Sequence, residues 1–123
     1  MARILVIDDN QDIHLILDEV LTEDGHVVDC ADDGMIGLGM TEKVRYEIII
    51  TDIIMPNMDG IEVITEIKRR SPDVKIIAMT GGSQKLDKSL ITSIAKAMHV
   101  EKVIGKPLDL DELRTTVRDI LGS

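Results

Sequence analysis

A chain of 123 residues is one domain of ordinary size, able to bury a core without disulfides or metal staples. Lys and Arg number 14 against 23 Asp and Glu, a formal net charge of −9, which argues against nucleic acid or an anionic membrane as a direct partner, since phosphate binding needs clustered cations. With no Trp or Phe, one Tyr and one Cys, the core must be aliphatic, a flat aromatic ligand finds almost nothing to stack on, and no internal disulfide can form.

Residues 4–7, Ile-Leu-Val-Ile, read as a buried strand that stops at Asp8-Asp9-Asn10. Asp12 is placed to cap a helix in which Ile13, Ile16, Leu17, Val20 and Leu21 recur at helical spacing, with His14 out of phase and facing solvent. Asp24-Gly25 ends that helix. Residues 26–30 form a second short strand, with Cys30 a small buried apolar residue, and Asp32-Asp33-Gly34 leads into a helix over 35–43. That helix is a poor one, because Gly37 and Gly39 each cost it about 1 kcal/mol relative to alanine. Met35 and Met40 are expected on its surface.

Residues 48–50 are three isoleucines, which suit a strand covered on both faces, and the strand ends by delivering Asp52. Pro56 and Asp59-Gly60 then turn the chain just past the acid. A third helix from Ile61 is expected to bury Ile61, Ile64 and Ile67, with Lys68-Arg69-Arg70 at its C-terminus, where cations suit the dipole. Residues 74–79 form a fourth strand before Thr80-Gly81-Gly82, and Leu90, Ile91, Ile94, Ala95 and Met98 mark a fourth helix. Residues 101–104 form a fifth strand ending in Gly105-Lys106-Pro107. Asp109 caps a last helix with Leu110, Leu113, Val117, Ile120 and Leu121 on one face. His26, His99, Lys85 and Lys88 read as surface residues. No basic-then-apolar leader opens the chain and no apolar run approaches bilayer length, so a cytoplasmic single domain over residues 1–123 is expected.

Strands alternating with helices imply an α/β fold, a parallel sheet with right-handed crossovers and helices on both faces. In such a sheet Asp8, Asp9, Asp52, Thr80 and Lys106 all lie at the C-terminal ends of strands, the edge where open α/β sheets bind ligands. Three converging carboxylates repel one another unless a cation sits among them. Only oxygen donors are available, so the metal is hard, and Mg²⁺ fits best because it takes one or two carboxylates and bridges to phosphate oxygens. Thr80 as hydroxyl donor and Lys106 as point charge would, with Mg²⁺, neutralise a phosphoryl group on the Asp52 carboxylate.

Residues 4–9 (Ile-Leu-Val-Ile-Asp-Asp), Asp52 with Met55-Pro56-Asn57-Met58-Asp59-Gly60, Thr80 and Lys106-Pro107 together resemble the receiver domain of two-component response regulators. The resemblance runs over essentially the whole chain. It implies a (βα)₅ flavodoxin-like fold, doubly wound, with five parallel strands in the order 2-1-3-4-5. It implies that Asp52 is the phosphoacceptor for the phosphohistidine of a sensor histidine kinase or a phosphotransfer protein. Asp9, Asp52 and the backbone carbonyl of Ile54 would bind Mg²⁺ directly, Asp8 through water. Lys106 would contact the phosphoryl group and join Pro107 by a cis peptide, and Thr80 would turn inward, drawing the following loop with it. Such a domain is not an enzyme in the ordinary sense; it catalyses its own phosphorylation and slow dephosphorylation. Its output protein would dock on the 81–122 face of a monomer or weak dimer.

The chain departs from the family pattern in three places. Val103 stands where a Tyr or Phe is usual, and Leu108 where an aromatic often follows Lys-Pro. Lys106 follows Thr80 by 26 positions, a longer interval than expected, with the extra length assigned to 81–88. Gly81-Gly82 would make that loop mobile without phosphate. Ile54 and Gly82, at positions that can hold the attacking water, carry no side chain able to do so, which predicts slow loss of the phosphoryl group. With no output domain after Ser123, either a stand-alone receiver or a receiver piece of a larger regulator or hybrid kinase is expected. A Mg²⁺-dependent phosphatase would want a second acid where Ile54 stands, and an FMN carrier would want Ser, Thr and Gly where Asp8-Asp9-Asn10 stands.

Overall fold

The computed structural model describes residues 1–53, 60–81, 93 and 96–122. Five strands form: β1 (Arg3–Ile7), β2 (Val27–Ala31), β3 (Ile48–Asp52), β4 (Lys75–Thr80) and β5 (Lys102–Gly105). The helices with defined bounds among the described residues are α1 (Gln11–Glu23), α2 (Gly34–Lys43), α3 (Gly60–Arg70) and α4 (Leu110–Gly122). Residues 93 and 96–98 are also helical, and the remainder of the helix expected over 90–98 lies outside the described residues. All strand pairs are parallel and the order is β2-β1-β3-β4-β5, as the resemblance implies.

Alternation along the strands divides the core in two, because successive side chains point to opposite faces. Leu5, Ile7, Ile49 and Ala78 face Leu38 of α2 and Val63, Ile64 and Ile67 of α3. Ile4, Val6, Ile48, Ile50 and Ile77 face Leu17 and Leu21 of α1 and Leu113 and Val117 of α4. Every residue of β3 is buried, consistent with its position in the middle of a sheet covered on both sides. The weak helix α2 has a reason for one of its glycines. A Cβ on Gly37 would meet Ile7 Cδ1 at 2.5 Å, so glycine is what allows α2 to lie against β1.

Several expectations about individual side chains are corrected. Asn10, not Asp12, caps α1; its side chain accepts the Asp12 N–H at 2.8 Å. His14 is buried rather than solvent-facing, whereas Ile16 is 40% exposed. The apolar spacing specified a stripe but not its centre. With Leu17 at the centre and roughly 100° per residue, His14 lies about 60° away and Ile16 about 100° away. In α3 the buried stripe is Gly60, Val63, Ile64 and Ile67, which leaves Ile61 at 38% exposed. His26 and Cys30 are half-buried, and His26 Nδ1 accepts the Ala2 N–H at 3.1 Å. Met35 is exposed as expected, but Met40 packs against the α2–α3 side of the core.

Candidate functional site

Strand register brings the polar residues level with one another. Ile7 pairs with Thr51, so Asp8 and Asp52 come next on neighbouring strands. Asp52 in turn pairs with Met79, and Thr80 with Gly105, which places Thr80 and Lys106 one step further along the same edge. Backbone hydrogen bonds continue the ladder past the strand ends. The Asp8 N–H donates to the Ala31 carbonyl at 3.1 Å, the Ile53 N–H to the Met79 carbonyl at 3.0 Å, and the Lys106 N–H to the Thr80 carbonyl at 2.6 Å. The Lys106–Pro107 peptide is cis, as the resemblance implies.

The side chains converge on Lys106. Its Nζ donates to Asp8 Oδ2 at 2.8 Å and to Asp52 Oδ2 at 2.9 Å, tying two strand ends that are 44 positions apart in sequence. Asp8 is fully buried and Asp52 nearly so, while Asp9 is exposed. The other Asp8 oxygen accepts the Asn10 N–H at 2.9 Å, which curls the β1–α1 loop back over its own carboxylate. Burial by itself pushes the Lys106 ammonium toward losing its proton. Its hydrogen bonds to Asp8 and then Asp52 outweigh that, so its pKa stands above the usual lysine value. Gly81 is required beside this residue, since a Cβ there would run into the Lys106 Cβ.

One oxygen from each of Asp8, Asp9 and Asp52 lies within 4.8 Å of the others. Two of these three carboxylates share the Lys106 ammonium, so among the described residues the cluster carries surplus negative charge inside a partly buried recess. An all-oxygen donor set with that surplus fits a hard divalent cation such as Mg²⁺. The remaining ligand expected from the resemblance, the Ile54 carbonyl, lies outside the described residues, as do Gly82, Lys85 and Lys88. Thr80 is buried at the end of β4. Val103, where the family has an aromatic ring, is half-buried and packs with Met98 and Val100 against the core; Leu108 packs against the opposite core.

Three residues beside this cluster were not singled out by the sequence for any role there. Gln11 Nε2 donates to Asp32 Oδ1 at 2.7 Å, and His14 Nδ1 lies 3.6 Å from the same oxygen. Helical spacing puts Gln11 and His14 on one face of α1, but no spacing rule links them to residue 32; only the pairing of β1 with β2 brings it to them. Among the described residues no helix is long and apolar enough to cross a membrane.

Comparison with known proteins matches the same architecture. A family model described as the response regulator receiver domain covers residues 4–118. The chain is 30% identical over 119 residues to sporulation initiation phosphotransferase F of Bacillus subtilis, covering 97% of this chain and 93% of that protein. It is 29% identical over 121 residues to the transcriptional regulatory protein TctD of Salmonella typhimurium, covering 97% of this chain and 51% of that protein. The chain thus spans about half the length of several of the curated relatives it matches. Among solved structures, response regulator protein TrrA of Thermotoga maritima, in complex with Mg²⁺ and BeF, superposes with a TM-score of 0.83 at 32% identity, covering 98% of this chain and 99% of that one. Chemotaxis protein CheY4 of Vibrio cholerae superposes with a TM-score of 0.86 at 25% identity over 98% of each chain.

Proposed function

Because the chain belongs to the response regulator receiver domain family of two-component signalling, we propose that its working residue is Asp52, which accepts a phosphoryl group from a phosphohistidine. The observation that carries this reading is the set of three carboxylates gathered at adjoining strand ends, two of them held by the Lys106 ammonium.

In the proposed transfer, an Asp52 carboxylate oxygen attacks phosphorus and forms the O–P bond. The N–P bond of the donor breaks, and its electron pair stays on the leaving imidazole. Lys106 follows the charge, exchanging its hydrogen bond to the free carboxylate for one to a phosphoryl oxygen. Thr80 offers a hydroxyl donor to another of those oxygens. Asp8 and Asp9, with Asp52, would hold Mg²⁺, and the bound ion would supply positive charge against the phosphoryl group. A new dianion that needs local donors supplies the force for a change of shape after β4. With Val103 rather than a ring at its position, the change is carried by the segment after Thr80 rather than by an aromatic side chain moving inward.

The donor is a histidine kinase or a phosphotransfer protein, and the output is a protein contact on the 81–122 face, made by this chain alone or within a longer regulator. The half-length match to TctD supports the second of these. Incubation with acetyl phosphate and Mg²⁺ followed by intact mass tests the chemistry. A phosphoryl adduct that is lost in Asp52→Ala is expected; no adduct on the unaltered chain would overturn the reading. The adduct should also be long-lived, since neither Ile54 nor Gly82 can orient the hydrolytic water with a side chain.

A further inference from the structure

We propose that Asp32 is a positioning residue for the metal-binding loop, acting through Gln11. This rests on the reading of Asp8 and Asp9 as Mg²⁺ ligands and adds a residue from outside the motif. Asp8, Asp9 and Asn10 form the short connection between β1 and α1, and Asp9 is exposed at its tip. The connection is held on one side by the end of β2, where the Asp8 N–H meets the Ala31 carbonyl at 3.1 Å. Asp32 is the next residue after Ala31, and its Oδ1 receives Gln11 Nε2 at 2.7 Å. Gln11 is the first residue of α1, directly after the loop. The loop is therefore gripped at both of its ends by two consecutive residues, one through backbone and one through a side chain.

A second observation points the same way. His14 is buried, its Nδ1 lies 3.6 Å from the same Asp32 oxygen, and its Nε2 has no hydrogen-bond partner among the described residues. A buried polar nitrogen without a partner is a cost that cores normally avoid, and at 3.6 Å the other nitrogen recovers little of it. Packing alone would place an apolar residue at this position beside Leu17. An imidazole and a primary amide both directed at one exposed carboxylate make sense as a clamp that sets how α1, and with it the carboxylates at its start, meets the sheet. Ligand-orienting contacts of this kind act on affinity without touching the ion.

The test compares Asp32→Ala with Asp32→Asn, which remove the same charge but differ in whether residue 32 still accepts from Gln11. Mg²⁺ affinity is measured by calorimetry and amide exchange is followed at residues 8–10. Asp32→Ala is expected to weaken Mg²⁺ binding by about two- to tenfold, the size of one lost hydrogen bond, and to speed exchange in the loop. Asp32→Asn is expected to restore most of both. Gln11→Ala, at an exposed position, should reproduce Asp32→Ala and serves as the second variant should residue 32 prove necessary for folding. Equal affinity in all four proteins overturns the proposal, and so does an equal loss in Asp32→Ala and Asp32→Asn, which would make the effect one of charge alone. If the unaltered chain binds no Mg²⁺, it is the reading of the carboxylates as ligands that fails, and that result is distinct from either of these.

Discussion

The sheet carries two polar clusters of similar size and opposite character. At its C-terminal edge Asp8, Asp9 and Asp52 gather together, and Lys106 holds Asp8 and Asp52. Towards its other end, Asp29 accepts the Tyr46 hydroxyl at 2.7 Å and two Arg3 nitrogens at 3.1 and 3.3 Å. The second cluster is closed: one carboxylate, with one cation and one hydroxyl both donating to it. Among the described residues the first has more acid than cation. A closed cluster ties strands together and has little reason to react, whereas an over-charged one gains from any cation or phosphoryl group that relieves it. Both were built from the same kinds of side chain, so the charge balance separates a structural cluster from a chemical one.

The largest expected break in that contrast comes from Asp52→Asn. It should abolish the phosphoryl adduct from acetyl phosphate in intact mass, while Tyr46→Phe leaves phosphorylation unchanged. Lys106→Ala removes the ammonium from a fully buried Asp8 and a nearly buried Asp52. A loss of about 3 kcal/mol in urea unfolding is expected, since stranding a buried charge costs more than the pair contributed. Because surplus acid is the cause, Mg²⁺ should recover part of that loss, and failure to recover any would argue against the carboxylates as its ligands. Tyr46→Phe should cost about 1.5 kcal/mol by the same measurement, the value of one hydrogen bond to a carboxylate, with no dependence on Mg²⁺.

The smallest effect is on pH dependence. Burial first, then the hydrogen bond to Asp29, raises the Tyr46 pKa well above its ordinary value of 10.0. The folded state therefore holds this proton more tightly than the unfolded chain. Its contribution is complete below pH 10 and is lost as the pH climbs from there toward the folded-state value. Lys106, whose pKa is also raised, acts in the same direction. Tyr46 is the only tyrosine and there is no tryptophan, so tyrosinate absorbance reads it directly. Ionisation should coincide with alkaline unfolding, and in Asp29→Ala it should move to lower pH. Titration near pH 10 in the folded protein would show the second cluster to be open after all.

Much of this is legible in the sequence. The strand ends of β1 and β3 were visible because apolar runs stop abruptly at Asp8 and Asp52, and a parallel sheet leaves all such ends on one edge. Asp109 was readable as a cap, and it does accept the Asp111 and Glu112 N–H groups at 3.0 and 3.1 Å. The cap of α1 lies two residues before the expected Asp12 because Asn10 and Asp12 are both good caps, and the choice between them depends on where the β1 turn releases the chain. The burial of His14 escapes the sequence for a related reason: periodicity constrains the relative angles of side chains on a helix but leaves the rotation of the whole helix to its neighbours.

By itself, then, the sequence determined the class of fold, the order of the strands through its family likeness, and the identities of the residues that gather at one edge. These follow from local hydrophobic runs and from breaks in them, which neighbouring residues specify. Only the tertiary structure decided that Lys106 bridges Asp8 and Asp52, that Gly37 and Gly81 admit close neighbours, and that Gln11 and His14 both turn to Asp32. Each of those joins residues from different strands or helices. Such contacts depend on register and helix rotation, which are set by packing across the sheet and not by any one segment of the chain.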